Sequence, residues 1–163
     1  MKKLRKISVK TKHGAFVLEF SEKGLYAVRF PGKHPLHTPG MSGVTQRVCE
    51  RGGKRLDLSG YTSFQKNVYR TLMKVPAGTS VTYSALAKRA GYPGAARAVG
   101  CAMKRNRLPL VIPCHRVVPS MGGIGEYSAG KKWKCFLLRL EKQALSPRQC
   151  LALEPGTGRG GGL

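Results

Sequence analysis

Between Ile7 and Phe30 apolar and polar positions alternate with a period of two, which places Phe16, Leu18 and Phe20 on one face. Ser21-Glu22-Lys23-Gly24 interrupts the alternation and Leu25 to Phe30 resumes it, so the segment predicts a β-hairpin. Pro31 to Gly43 collects Pro, Gly, His and Thr without periodicity and reads as a loop or linker. Beyond it the period changes. Phe64, Val68 and Leu72 recur at four-residue spacing behind Thr62 and Gln65, a capping box opening an amphipathic helix. Thr82 can cap a short helix from Tyr83 to Ala90, Gly91 breaks it, Tyr92-Pro93-Gly94 turns, and Ala95 to Arg105 forms a second helix, which is helix-turn-helix spacing. The apolar run Leu108 to Ile112 reads as a buried strand, and Trp133, Phe136, Leu137 and Leu140 give the last helix an apolar face. Pro147 to Leu163 is rich in Gly and Pro and reads as a flexible tail. These patterns predict an α/β (α+β) chain: a small sheet-containing N-terminal domain and linker over 1–58, a helical domain over 59–145, and a tail over 146–163.

Charge adds a partner. The 163 residues hold 30 Lys+Arg against 7 Asp+Glu, a formal net charge of +23, which points to a polyanion. A membrane surface is disfavoured because no run of about 18 apolar residues exists, and no secretory signal follows the basic start Met1 to Lys6. The five cysteines, Cys49, Cys101, Cys114, Cys135 and Cys150, form no CxxC pair, so a disulfide framework or zinc knuckle is not expected. His13, His34, His37 and Cys49 make no clear four-ligand set, so the chain is expected to hold no metal. The expected compartment is intracellular and reducing, cytoplasmic or nuclear, with Cys101 and Cys135 as packing residues.

Two segments carry candidate chemistry. Pro113-Cys114-His115-Arg116-Val117-Val118 puts a thiol beside an imidazole just past a buried run, where a base can convert thiol to thiolate. A buried free cysteine is also an ordinary core residue, so the pair alone leaves both readings open. The second helix of the helix-turn-helix opens Ala95-Ala96-Arg97-Ala98-Val99-Gly100, too small-sided to read base edges in a major groove. Ala95, Ala96 and Gly100 let backbone approach DNA closely. Arg97 is then a lone probe that can enter a minor groove or fill the place of an extruded base. Lys104, Arg105 and Arg107 follow as candidate contacts to the DNA backbone.

From Tyr61 to Glu141 the order and spacing of Val81-Thr82-Tyr83-Ser84, Ala95 to Gly100, Asn106, Ile112 to Val118, Tyr127-Ser128 and Glu141 resemble the O6-alkylguanine-DNA alkyltransferases, the methylated-DNA–protein-cysteine methyltransferases. The resemblance implies a small ribonuclease-H-like N-terminal domain and a helical domain with a DNA-binding helix-turn-helix. It also implies direct, irreversible transfer of a methyl or small alkyl group from guanine O6, or thymine O4, to Cys114. In that scheme His115 takes the thiol proton through a water, Glu141 holds the imidazole, and Tyr83 donates to the departing base. Val117, Tyr127 and Ser128 line or recognise the guanine, and Asn106 fixes the turn beneath Cys114. No cofactor is needed. The partner is double-stranded DNA bound through its minor groove by a monomer, with the lesion flipped out. Ala129 stands where many relatives have glycine, which would narrow the pocket. The alternatives are a non-catalytic alkyltransferase-like damage sensor and a plain helix-turn-helix DNA-binding protein, both indifferent to loss of Cys114.

Overall fold

The computed structural model describes residues 3–11, 13–32, 50–51 and 55–141. The linker's His34 and His37, with Cys49 and the Pro147–Leu163 segment, lie outside them. Three strands, β1 (Arg5–Thr11), β2 (Gly14–Ser21) and β3 (Gly24–Arg29), make an antiparallel sheet in the order β1-β2-β3. The expected hairpin is the β2–β3 pair, and the chain adds a second hairpin before it. Gly14 makes that turn possible: its φ is +106°, and a Cβ there would come within 2.6 Å of Pro31 Cβ. Phe16 and Leu18 are fully buried, whereas Phe20, displaced by a register shift at Glu19/Phe20, is only half-buried beneath the Arg5 guanidinium.

The second half opens with α1 (Ser63–Met73). Thr62 Oγ1 accepts from the Gln65 backbone N–H and Gln65 Oε1 accepts from Thr62 N–H, the predicted capping box. Val68, Tyr69 and Leu72 turn inward. A two-residue strand β4 (Val81–Thr82) then delivers Thr82 as N-cap of α2 (Tyr83–Arg89), and Gly91 (φ +87°) and Gly94 (φ +82°) turn the chain into α3 (Ala96–Lys104). Ala95 is the N-cap of α3, one residue outside the helix. Only Val99, Ala102 and Met103 of α3 are buried, so the helix packs by one edge and leaves Arg97 and Cys101 exposed. Cys101 is therefore not the packing residue expected.

The Leu108–Ile112 run is buried but is not a strand. Pro109 has no N–H to give a ladder, Leu110 adopts φ +74°, and Ile112 N–H closes a turn on Leu108 O at 2.8 Å. The turn leads into a single 3₁₀ turn, Cys114–Arg116, and strand β5 (Val117–Val118), which runs parallel to β4 with Val81 opposite Val117 and Thr82 opposite Val118. The chain ends its described part with α4 (Lys131–Leu140), whose buried face is Trp133, Lys134, Leu137 and Leu138; Phe136 and Leu140 are half-buried.

Trp133 joins the two halves. Its indole packs against Phe16 and Phe30, with ring centroids 5.7 and 4.9 Å away, and its N–H donates to Gly32 O at 2.7 Å. Sheet and helices therefore share one core. No helix among the described residues is long and apolar enough to cross a membrane. Thr62→Ala removes one of the two cap bonds of α1 and is expected to cost about 1 kcal/mol of unfolding free energy, measured by denaturant titration, without changing the reactivity of Cys114.

Candidate active site

Asn106, just past the end of α3, shapes the turn that follows. Its side-chain oxygen accepts from Leu108 N–H at 2.9 Å, while its amide nitrogen donates to Ile112 O at 3.0 Å and to Cys114 Sγ at 3.1 Å. One side chain thus closes the loop and bonds the sulfur it carries. Cys114 is almost wholly buried, yet it lines a cavity of about 460 Å³. Tyr83 and Ser84 of α2, Ala96, Arg97, Gly100, Met103 and Lys104 of α3, Pro119 to Met121, and Gly125 to Ser128 form the rest of its wall. The thiol and the arginine of the second helix share one cavity.

Burial pushes the Cys114 thiol pKa up. The Asn106 hydrogen bond, the Lys134 ammonium and the Tyr127 hydroxyl pull it back down, without fully offsetting the lost hydration. A thiol in this setting needs a base. His115 Nε2 lies 2.8 Å from Glu141 Oε1, and Nδ1 is buried without a protein hydrogen-bond partner. The Glu141 carboxyl is held down to about 2 by its hydrogen bonds to His115 and Arg116, which outweigh its own burial, so it is ionised near neutral pH. An ionised acceptor places the imidazole hydrogen on Nε2 and leaves Nδ1 as the basic nitrogen. Burial also lowers the His115 pKa, so the ring starts neutral and able to accept a proton.

Arg116 completes this network. Its Nε and Nη2 donate to the two Glu141 oxygens at 2.9 and 2.7 Å, and Nη1 donates to Val75 O at 2.6 Å. Gly78 N–H adds a longer bond to Glu141 Oε2 at 3.3 Å. Glu141, at the C-cap of α4, is thereby tied to the segment between α1 and β4 as well as to the histidine.

Lys134 was not among the residues singled out from the sequence. It is fully buried on α4, donates from Nζ to Val117 O at 2.6 Å, and lies 6.0 Å from the Tyr83 ring centroid. Desolvation lowers its pKa to about 8. The signal was present in the spacing: Lys134, Leu137, Leu138 and Glu141 share one helical face, and a lysine on an apolar stripe is seldom buried without a charge to serve.

Of the expected site residues, Cys114, Tyr83, Ala96, Arg97, Gly100, Tyr127 and Ser128 line one cavity, and Asn106, His115 and Glu141 stand behind it. Val117 sits beneath, paired with Val81 and accepting from Lys134. Tyr127 Oη is buried without a well-formed hydrogen bond and is electrostatically coupled to the thiol. Three expectations change. Ala95 caps α3 without lining the cavity. Ala129 does not line it either and faces smaller clefts behind Ser128, so its methyl does not narrow the space before Cys114. Arg107, expected to reach the DNA backbone, has its guanidinium between the rings of Tyr26 and Tyr61. Lys104 and Arg105 are exposed. Among the described residues no group of three or more His, Cys, Asp or Glu could hold a metal ion.

A family model described as "6-O-methylguanine DNA methyltransferase, DNA binding domain" matches residues 63–143. A methylated-DNA–protein-cysteine methyltransferase of Mycobacterium leprae is 45% identical over 87 residues, covering 53% of this chain; the match spans about half of that relative's length, 52%. The enzyme of the same name from Methanosarcina acetivorans is 34% identical over 143 residues, 78% of this chain and 92% of the relative. Among solved structures, the Mycobacterium tuberculosis OGT in complex with DNA superposes with a TM-score of 0.68 at 29% identity, covering 84% of this chain and 92% of the other. The O6-methylguanine-DNA methyltransferase of Pyrococcus kodakaraensis gives 0.61 at 28%, covering 86% and 99%.

Two outcomes follow from the electrostatics. Replacing Lys134 with methionine should raise the Cys114 pKa and slow alkylation of the thiol below pH 8. Stability should hold or rise, since a buried charge is exchanged for an apolar group of similar length; pH-dependent labelling and a melting curve measure both. The folded Glu141 pKa lies below its ordinary 4.5, so its contribution to stability is complete above pH 4.5 and declines as pH falls toward 2. Glu141→Gln should flatten that part of an acid-denaturation profile.

Proposed function

The chain belongs to the methylated-DNA–protein-cysteine methyltransferase family, and from that premise we propose that it is a DNA-repair methyltransferase in which Cys114 is the acceptor and meets a base turned out of the duplex. The observation that carries the reading is the shared cavity, lined by both the buried, hydrogen-bonded thiol and the exposed Arg97.

Binding begins with charge. A chain of net charge +23 gains affinity for any duplex through counterion release, so the grip is independent of sequence. A helix opening Ala96-Arg97-Ala98 offers little to read bases with, and its small side chains suit close approach to a minor groove. The lesion carbon is out of reach while the base is stacked. Extrusion costs a few kcal/mol, and Arg97 offsets part of it by filling the vacated place.

In the cavity the thiol proton passes through a water to His115 Nδ1, while Glu141 and Arg116 keep the ring oriented and stabilise the imidazolium. The sulfur attacks the alkyl carbon, the carbon–O6 bond breaks, and its electron pair returns to the purine. Burial raises the Tyr83 pKa, so its hydroxyl is protonated near neutral pH and able to donate to the departing base, which leaves as neutral guanine, and the proton held by the His115 imidazolium restores the tyrosine through water. Tyr127 and Ser128 bound the space that the base enters.

The product decides the turnover. A thioether has no carbonyl for water to attack and no competent leaving group, so Cys114 accepts one group and stays alkylated. Transfer then stops at one equivalent. The monomer needs no metal or organic cofactor for these steps.

Incubation with a duplex bearing O6-methylguanine should add one methyl group to the peptide containing Cys114, read by mass spectrometry, with loss of one lesion per protein. Cys114→Ala should bind the duplex and leave the lesion intact. Arg97→Ala should slow transfer from duplex by tenfold or more, an order-of-magnitude loss set by the extrusion cost, while sparing transfer from the free base. An unmodified Cys114 peptide beside consumed lesion would refute the assignment.

A further inference from the structure

Residue 107 is held through its guanidinium, its backbone N–H and its carbonyl. Its guanidinium carbon lies 4.2 Å from the centroid of Tyr26, on β3, and 4.3 Å from that of Tyr61, just before α1, so the cation is sandwiched between the two halves of the molecule. Nη2 donates to Ser59 O at 2.8 Å. Its backbone N–H donates to Tyr61 Oη at 2.7 Å, and its carbonyl accepts from Val28 N–H, on β3, at 2.8 Å. Tyr61 in turn packs edge-on against Tyr69, whose hydroxyl donates to Ala102 O of α3 at 2.7 Å. The neighbour of this residue is Asn106, whose amide bonds the reactive sulfur.

We propose that Arg107 is a positioning residue for the thiol: by clamping the chain between β3 and Tyr61 it fixes the rotation of Asn106 and so holds the amide-to-sulfur hydrogen bond. The N-terminal sheet thereby acts on the chemistry without touching substrate. A hydrogen bond from a short turn is sensitive to backbone rotation, and Asn106 has few ways to move while residue 107 is held through its side chain, N–H and carbonyl. The inference rests on Cys114 being the acceptor, but its test reads the thiol directly.

Besides Asn106, the groups that bear on Cys114 are Lys134 from α4, Tyr127, Tyr69 from α1, Tyr83 from α2 and Tyr61; Arg107 is not among them. Its charge is therefore not the lever. The rate of Cys114 carbamidomethylation by iodoacetamide, followed on its peptide from pH 6 to 10, should shift to a midpoint about one unit higher in Arg107→Met, a roughly tenfold loss of thiolate below the midpoint. Tyr26→Leu should shift it the same way. Arg107→Lys keeps a cation between the rings and should recover most of the loss. Thr62→Ala, destabilised at a remote cap, should leave the midpoint unchanged. If Arg107→Met and Tyr26→Leu lower the melting temperature while the midpoint stays at the wild-type value, the proposal is wrong; should Arg107→Met not fold, Tyr26→Leu decides alone. Wild-type protein that fails to take methyl from DNA, yet shows the predicted shifts, would sink the acceptor assignment and leave the clamp standing.

Discussion

A sulfur withdrawn from water is the constraint around which the candidate site is built. Desolvation favours the neutral thiol, and a neutral thiol is a poor nucleophile. Each polar group nearby answers that penalty in a different way. Asn106 donates a hydrogen bond, Lys134 supplies positive charge from within an apolar helix face, and the His115–Glu141–Arg116 network provides a neutral base whose tautomer is set. None of these is inexpensive to bury alone. Together they form a network in which the buried carboxylate is paired and the buried lysine bonds a backbone carbonyl.

The same constraint explains the layout. A buried sulfur can be reached only from one side, and the open side is the cavity that the helix-turn-helix borders. The closed side is the core shared by sheet and helices, with Trp133 at its centre. No strand of the three-stranded sheet lines the cavity, yet the sheet meets the turn that leads to Cys114 through Val28 and Arg107.

Much of this was legible in the chain because it is local. The capping box at Thr62, the glycines between α2 and α3, and the Pro-Cys-His-Arg run each state their geometry within a few residues. What could not be read depended on side-chain bonds and packing that composition does not state. Leu108 to Ile112 has the composition of a strand, but Pro109, the positive φ of Leu110 and the Asn106 side chain, which competes for the backbone, make it a turn. Arg107 looked like one more surface cation because its tyrosines lie 81 and 46 residues away. Lys134 was hidden by the choice of helix face: the stripe taken as buried included Phe136 and Leu140, and the actual inward face is rotated toward Lys134 and Leu138. Cys101 was misplaced for the same reason, since packing by one edge leaves that position of α3 in solvent.

The parallel pairing of β4 with β5 is only two residues long, but it ties the segment entering α2 to the segment leaving Cys114. The pair of helices and the sulfur are thus mounted on a common frame. A frame of that kind ties placement to backbone: the spacing between α2 and the sulfur is set by main-chain pairing as well as by side-chain packing, so a change at Val81 or Val117 would be felt at both.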